Sequence, residues 1–328
     1  MHAIRHTRGL PIRRLFSAIG ITLCLTACST PAAPSEPTAR PAATETPTVR
    51  PSDTPTVTPS ATATCTLTTI PSATPSPEPT ATPTATPRPL RVAIDPGHGG
   101  RDLGARHFDD EGHMDFCESE VNLDLALRLR DLLIEQGFEV VMTRDDDYGL
   151  NPKGEDLSGD GIIDHVDELQ ARLDLVNEAQ ADLLLSIHQN AFYWETGEPA
   201  EDVGGTITFY CADRDFGEEN LLLANLVHQE VLAAFAELEY DINDRGVEDD
   251  KELDVPGGEG KYLILLGPKT DRSVRPSQMP GILSETLFIT HAEEAALARE
   301  PAALDRLAEA YARAIVAFAS PPCPPSQP

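Results

Sequence analysis

Two histidines and three glutamates stand at positions where a folded chain could use them in catalysis. His98 lies between two glycines in a turn that follows an apolar run, and His188 ends a second apolar run. Glu118 and Glu120 stand at the entrance of an amphipathic helical segment, and Glu285 interrupts a third apolar run. Two histidines and one carboxylate with an open fourth position are typical of catalytic zinc sites. The pattern therefore indicates a zinc site that includes both histidines and a carboxylate from the helix entrance.

The position of Glu285 predicts a role in proton transfer. A carboxylate in an apolar strand is costly to bury unless it has a partner. A metal-activated water molecule that must lose a proton would supply that partner, so we predict that Glu285 is the general base. Asn190, two residues after His188, suits equally a group that orients ligand or substrate and an ordinary turn residue.

The segments that must position these residues alternate between strand and helix over residues 90–320, which is the pattern of an α/β domain with a largely parallel sheet. In such a sheet, ligands bind beyond the carboxyl ends of the strands. His98 and His188 are predicted to lie at two of these strand ends. The apolar runs predict strands at residues 90–94, 139–143, 182–187, 205–210, 262–266 and 281–288, and helices at about 119–136, 166–180, 218–238 and 302–319.

The N-terminal segment has the features of an export signal. Residues 1–27 begin with several arginines and continue with an apolar run that is shorter than the ~20 residues needed to span a bilayer. This segment ends in Leu25-Thr26-Ala27-Cys28, which resembles the lipobox of bacterial lipoproteins. We therefore predict that Cys28 is lipidated and anchors the chain to the membrane. The alternative is an ordinary signal peptide with an incidental cysteine.

The chain between the signal and the domain is predicted to be a disordered linker. Residues 28–89 consist almost entirely of Pro, Thr, Ala and Ser, and they lack apolar periodicity. Such a segment cannot bury enough surface to offset its ordering entropy, and its prolines keep it extended. It is typical of a stalk from the membrane to the wall of the cell envelope. Residues 321–328 are predicted to form a disordered tail.

Charge and cysteine content narrow the classes of function. The net charge of −29 arises from 25 basic and 54 acidic residues, and it excludes a nucleic-acid-binding protein. Of six cysteines, only Cys117 and Cys211 lie in the domain, and the sequence leaves open whether they form a disulfide after export. The absence of a Cys-x-x-Cys spacing argues against a zinc site made of cysteines.

Five segments of the domain, read in chain order, resemble a known family of enzymes. DPGHGG, ExEVNLxLALRL, TR, ADLLLSIHQNA and GILSET are similar to motifs of the zinc-dependent N-acetylmuramoyl-L-alanine amidases of bacterial cell walls. The resemblance covers nearly all of residues 90–320. It implies zinc ligation by His98, Glu118 and His188, with Glu285 as the catalytic glutamate. It also implies an open, twisted sheet of about six strands flanked by helices.

The resemblance implies the reaction as well. A zinc-activated water would attack the amide that joins the muramoyl lactyl group to L-alanine in peptidoglycan, and Glu285 would carry the proton to the leaving amine. Arg144 and Arg172 match recurrent family positions, where we predict structural ion pairs. Two alternatives are a zinc hydrolase of another peptide amide and a non-catalytic wall-binding lipoprotein, and the presence of all four site residues disfavours the latter. A protein activator, if there is one, is not identified by the sequence.

Two insertions depart from the family pattern. Residues 156–167 have the spacing of a calcium loop, and the predicted oxygen donors are Asp156, Ser158, Asp160, the carbonyl of Ile162, Asp164 and Asp167. We predict a structural Ca²⁺ there, the alternative being an acidic surface loop. The second insertion, residues 248–261, is acidic and glycine-rich, and it could border or cover a substrate groove.

Overall fold

A six-stranded sheet between layers of helices organises residues 88–251, 253 and 262–320, which are the residues that a computed structural model of the chain describes. In chain order the elements are β1 (Arg91–Pro96), β2 (Arg106–Phe108), β3 (Met114–Cys117), α1 (Glu118–Glu135), β4 (Glu139–Met142), α2 (His165–Glu178), β5 (Leu183–Asn190), β6 (Thr206–Tyr210), α3 (Gly217–Glu237), β7 (Asp244–Asp249), β8 (Gly281–Phe288), α4 (Ala292–Leu297) and α5 (Pro301–Ala319).

Four strands of the sheet end at one edge, and the other two strands end at the opposite edge. The strand order is β4-β1-β5-β8-β6-β7, and the first four of these strands are parallel to one another. β6 runs antiparallel to β8 and parallel to β7. We call the edge where β1, β4, β5 and β8 end the upper edge. The edge where β6 and β7 end is the lower edge. β2 and β3 form a separate antiparallel hairpin.

Alternation along β1 separates the two faces of the sheet. Val92 and Ile94 belong to the main hydrophobic cluster, which also contains the buried sides of α1, α3 and α5. Ala93 faces the other way and packs with Val176 of α2. The central strand β5 is buried along its whole length, as expected of a parallel strand covered on both faces. Among the described helices, none combines the length and the apolar character that a membrane span requires.

The predicted fold class is confirmed, but the sixth strand was predicted at the wrong place. Residues 262–266 form turns, in which the amides of Leu266 and Gly267 donate to the carbonyl of Leu263. Their apolar side chains pack against Phe209 and Leu283 and do not extend the sheet. The sixth strand is β7, whose sequence DRGVED has no apolar alternation. The other strands and helices begin and end within three residues of the predicted bounds. The β2–β3 hairpin and α4 were not predicted.

Two buried arginines hold the turn after β1. Nη1 of Arg172 donates to Oδ1 of Asp95 at 2.8 Å, and Arg172 also pairs with Glu168, which confirms the predicted ion pair. Burial raises the pKa of Asp95, but Arg172 and the hydrogen bonds from Thr143 and Ser186 together lower it more, so the net pKa lies below the ordinary value. The ion pair predicted for Arg144 is wrong, because its guanidinium donates to the backbone carbonyls of Pro96, Gly97 and Ser119.

The described part of the chain begins at the lower edge with a network of charged hydrogen bonds. Nη1 and Nη2 of Arg88 each donate to the carboxylate of Asp182 at 2.7 Å. The backbone amide of Arg91 donates to the same carboxylate at 2.7 Å. Since Asp182 precedes β5, this network ties the start of β1 to the start of β5.

Several predictions concern residues outside the described ones. These are the signal peptide at residues 1–27 with Cys28, the linker up to residue 87, and the tail at residues 321–328. Most of the second insertion also lies outside the described residues. Asp250, which directly follows β7, and Tyr262, whose hydroxyl donates to Asp213 after β6, both lie at the lower edge of the sheet, opposite His188.

Candidate functional site

Three side chains converge at the upper edge of the sheet. His98 lies in the turn after β1, Glu118 is the first residue of α1, and His188 is on β5. Nε2 of His98 lies 3.2 Å from Oε2 of Glu118, and Nδ1 of His188 lies 2.9 Å from Oε1 of Glu118. Tetrahedral ligand atoms at about 2.0–2.2 Å from a zinc ion are ~3.3 Å apart. The two nitrogens and the carboxylate are thus spaced as ligands of one small metal ion.

The backbone around His98 permits this close approach. His98 itself has φ of 63°, a left-handed conformation that histidine adopts more readily than bulky or β-branched residues. A Cβ added at Gly97 would lie 2.2 Å from the ring of His188. One at Gly104 would lie 2.4 Å from Oε2 of Glu118. Glycine is therefore required at both positions, because any side chain there would displace a member of the cluster.

Glu118 is held as an anion by several donors. Its carboxylate accepts hydrogen bonds from the amides of Ala105 at 2.9 Å and Gln189 at 3.1 Å, and from Nδ2 of Asn122 at 3.3 Å. Burial raises its pKa, but His98 and His188 more than compensate, and the pKa lies well below the ordinary value. The second carboxylate of the helix entrance, Glu120, instead accepts the amide hydrogen of Cys117 and caps α1.

His98 is held in its orientation by a second carboxylate. Its Nδ1 lies 2.8 Å from Oδ2 of Asp102, which leaves Nε2 facing Glu118. Burial lowers the pKa of His98, but Glu118 and Asp102 raise it to about 10. Two carboxylates thus favour a positive charge at this point, and a bound cation would satisfy them in place of the histidine proton.

Glu285 lies next to this cluster with an unused oxygen. Its β8 position pairs with His188 of β5, so both side chains lie on the same face of the sheet. Glu285 is 6% exposed, and its Oε2 makes no hydrogen bond. Burial and the nearby Glu118 raise its pKa to about 8. A buried carboxyl oxygen without a partner costs free energy, so its place beside the cluster indicates a role toward a ligand.

A buried chain of polar groups, which the sequence did not reveal, connects Glu118 to α1, β5 and β8. Asn122 donates to Glu118 and to the carbonyl of Gly97, and Nε2 of Gln189 donates to Oδ1 of Asn122 and to Thr286. Asn122 could have been found, because it follows Glu118 by one helical turn and therefore lies on the same face.

We expect Asp102→Ala to weaken metal binding about 10–100-fold, the usual effect of removing the carboxylate behind a histidine ligand. The reason is that Nδ1 of His98 loses the partner that fixes its ring. Titration of the purified protein with zinc against a chelating dye measures the affinity. Asp110→Ala, at an exposed position of the same segment, is the matched control. Equal zinc affinities of the two variants would contradict this role for Asp102.

Asn190 is the last residue of β5. Its Oδ1 accepts the amide hydrogen of Ala191 at 2.8 Å, and its backbone carbonyl accepts from Ile289 at 2.9 Å. Both contacts stabilise the backbone at the end of β5, where the pairing with β8 shifts by one residue. A role of Asn190 toward substrate stays a prediction.

The carboxylates of the predicted calcium loop accept hydrogen bonds from backbone amides of the same loop. Asp156 accepts from the amides of Gly159 and Gly161, and Asp167 accepts from the amides of Ser158 and Leu157. Of the other predicted donors, Asp160 accepts the amide hydrogen of Ile162, Asp164 caps α2, and the hydroxyl of Ser158 donates to Asp156 at 3.3 Å. Calcium binding at this loop stays a prediction.

Cys117 directly precedes Glu118, whereas Cys211 lies at the opposite edge of the sheet. Cys117 and Cys211 are both buried with free thiols, so the disulfide that the sequence left open is not formed in this structure. His228 is buried within α3, as a position in the helix rather than a ligand of the cluster, and its Nε2 lies 2.8 Å from Oδ1 of Asp244.

Comparison with known proteins places the described domain among cell-wall hydrolases. The family model for N-acetylmuramoyl-L-alanine amidase matches residues 92–317. A germination-specific N-acetylmuramoyl-L-alanine amidase of Bacillus subtilis is 29% identical over 229 residues, which are 69% of this chain and 78% of that relative. The amidase LytC of the same organism is also 29% identical, over 69% of this chain and 35% of its own length. The crystal structure of an N-acetylmuramoyl-L-alanine amidase from Clostridium difficile 630 superposes with a TM-score of 0.50 at 25% identity, covering 71% of this chain and 97% of that one.

Proposed function

Because the chain belongs to the N-acetylmuramoyl-L-alanine amidase family, we propose that it cleaves the amide between the lactyl group of N-acetylmuramic acid and the L-alanine of a peptidoglycan stem peptide. The observation that carries the proposal is the convergence of His98, Glu118 and His188 beside the unpartnered Oε2 of Glu285. Metal ligands next to a buried, unpaired carboxyl group are what hydrolysis of an amide by an activated water requires.

The residues of the site fit a zinc ion. Two imidazole nitrogens and one carboxylate are ligands that zinc favours in catalytic sites, with a further position left for water or substrate. The excess of carboxylates around His98 also favours a cation. A bound zinc ion would act as a Lewis acid that polarises the scissile carbonyl and makes water more acidic. We therefore propose that His98, Glu118 and His188 hold zinc.

Glu285 moves the proton in the proposed reaction. Its carboxylate accepts a proton from the water that adds to the carbonyl carbon of the lactyl amide. As the carbon–nitrogen bond breaks, Glu285 returns that proton to the nitrogen, and the products are the muramoyl carboxylic acid and a stem peptide with a free L-alanine amine. Burial raises the pKa of this carboxyl group toward neutral pH. Such a group can both accept the proton from water and return it to the leaving nitrogen.

The bond that is cleaved can be identified directly. Purified protein is incubated with peptidoglycan, and mass spectrometry of the soluble products identifies the new chain ends. We expect stem peptides that begin with a free L-alanine amine, together with glycan strands that have lost their peptides. New amines at other stem positions would support the alternative, a zinc hydrolase of another peptide amide. The absence of any product would contradict the proposed function.

We also propose that the protein is exported and anchored in the cell envelope through Cys28, with residues 28–89 as the linker to the catalytic domain. The basic and apolar N-terminal segment and the lipobox-like sequence support this arrangement, as does the location of peptidoglycan outside the cell membrane. Cells grown with a labelled fatty acid are expected to label the wild-type protein and not the Cys28→Ser variant. Equal labelling of both would exclude Cys28 as the anchor.

A further inference from the structure

A second group of metal-binding side chains lies at the lower edge of the sheet. Cys211 directly follows β6, and Asp249 and Asp250 lie at the end of the neighbouring strand β7. The two strand ends are joined because the amide of Asp250 donates to the carbonyl of Tyr210 at 2.7 Å. One ligand atom from each of the three side chains lies within 4.8 Å of the others. The antiparallel pairing of β6 with β8 puts this group at the opposite edge from His188.

The interior of this group contains an oxygen without a partner. Cys211 and Asp250 are both 0% exposed. Oδ2 of Asp250 accepts the amide hydrogen of Leu263 at 3.0 Å, but its buried Oδ1 makes no hydrogen bond. A buried carboxyl oxygen in that state costs free energy, and native structures contain few of them without a ligand or a function.

The basic side chains near the group form hydrogen bonds and ion pairs with residues outside it. The guanidinium of Arg214 donates to the carbonyls of Leu266 and Gly267 and to Ser277, not to the carboxylates of the group. Nζ of Lys251 pairs with Asp213 at 2.8 Å. Neither cation therefore forms an ion pair with a carboxylate of the group.

We propose that Cys211, Asp249 and Asp250 bind a second zinc ion, which has a structural role. A thiolate and two carboxylates suit a borderline-soft divalent ion better than calcium or magnesium, which take oxygen ligands. On binding, the thiol of Cys211 gives its proton to solvent and its sulfur becomes a ligand. The ligands come from two different strand ends, so no Cys-x-x-Cys spacing reveals the site in the sequence.

The position of the site suggests what the metal stabilises. Asp250 lies near the start of the second insertion, and its Oδ2 accepts the amide hydrogen of Leu263, which follows the insertion. A metal ion on Asp250 would fix the ends of β6 and β7 and both flanks of that insertion. The active site lies at the other edge of the sheet, so loss of this zinc is expected to change amidase activity less than about twofold.

Cobalt substitution distinguishes the two sites, because only the second one contains sulfur. The full chain is loaded with Co²⁺, and its near-ultraviolet spectrum is examined for sulfur-to-cobalt charge transfer. We expect this absorption in the wild type and in Cys117→Ser, which removes the other buried thiol of the domain, but not in Cys211→Ser. Elemental analysis of the zinc form is expected to give two ions per chain in the first two proteins and one in the third.

The outcomes separate this proposal from the proposed function. A charge-transfer band that survives Cys211→Ser, or a zinc content that this variant leaves unchanged, would overturn the second site. Should Cys211→Ser fail to fold, Asp250→Asn retains the thiol and the shape of the site, and it is expected to lose one of the two zinc ions. Loss of zinc in Glu118→Gln but not in these variants would leave the active site supported and the second site refuted.

Discussion

Replacing Glu285 with glutamine is expected to lower kcat for peptidoglycan hydrolysis by about 10²–10⁴-fold, the range that general acid–base catalysis contributes. Glutamine keeps the shape of the side chain on β8 but can neither accept nor return the proton. Zinc content and the melting temperature should stay near those of the wild type, because Oε2 of Glu285 makes no hydrogen bond that the substitution would break. Release of stem peptides from peptidoglycan, followed by mass spectrometry, measures the rate.

Glu294→Gln is the matched control for this experiment. Glu294 is also buried near the upper edge, and burial raises its pKa as well, but its carboxylate accepts the amide hydrogen of Phe288 and serves the backbone. We expect this variant to hydrolyse peptidoglycan at close to the wild-type rate. A Glu285→Gln variant as active as Glu294→Gln would refute the proton-transfer role of Glu285.

Removal of a proposed zinc ligand is expected to lower activity as strongly as removal of Glu285, because the bound metal ion is lost. His188→Ala leaves only His98 and Glu118 to hold the ion, and we expect the purified variant to contain less than one zinc at this site. Loss of the metal removes several kcal/mol of transition-state stabilisation, and each 1.36 kcal/mol is tenfold in rate, so activity should fall by ~10³-fold or more.

His228→Ala provides the control for a buried histidine outside the site. Its imidazole bridges Asp244 and Thr208, so this substitution tests stability without touching the cluster. In the wild type, a chelator should abolish activity and added zinc should restore it, whereas added zinc should not restore His188→Ala. Wild-type activity that persists after complete removal of zinc would contradict the proposed function.

The parts of the site that the sequence predicted are those encoded by local patterns. His98 and His188 were found because each ends an apolar run, and parallel strands bring such ends to one edge of a sheet. Glu118 and Glu120 were indistinguishable by position at the helix entrance, and the family resemblance favoured Glu118. The structure gives the physical difference, since Glu120 caps the helix and Glu118 contacts both histidines.

The parts that were missed depend on contacts between distant segments. The apolar residues 262–266 have the composition of a strand, but they pack as turns against β6 and β8. The strand β7 pairs with β6 through its backbone, which a polar sequence such as DRGVED does not reveal. The approach of Cys211 to Asp250 follows from that same pairing. The sequence periodicity of neither segment indicates that Cys211 and Asp250 are close, so their proximity could be recognised only in the folded structure.

The hydrogen-bond network at Arg88 has a mechanical consequence. A pull on the preceding chain reaches the domain at the start of β1, which lies between β4 and β5 and is parallel to both. A force directed along β1 would load its hydrogen bonds to both neighbours together, instead of opening them one after another. The Arg88–Asp182 pair shares that load with the start of β5. The contacts that would resist tension along β1 thus begin at the lower edge, which is opposite His98 and Glu285.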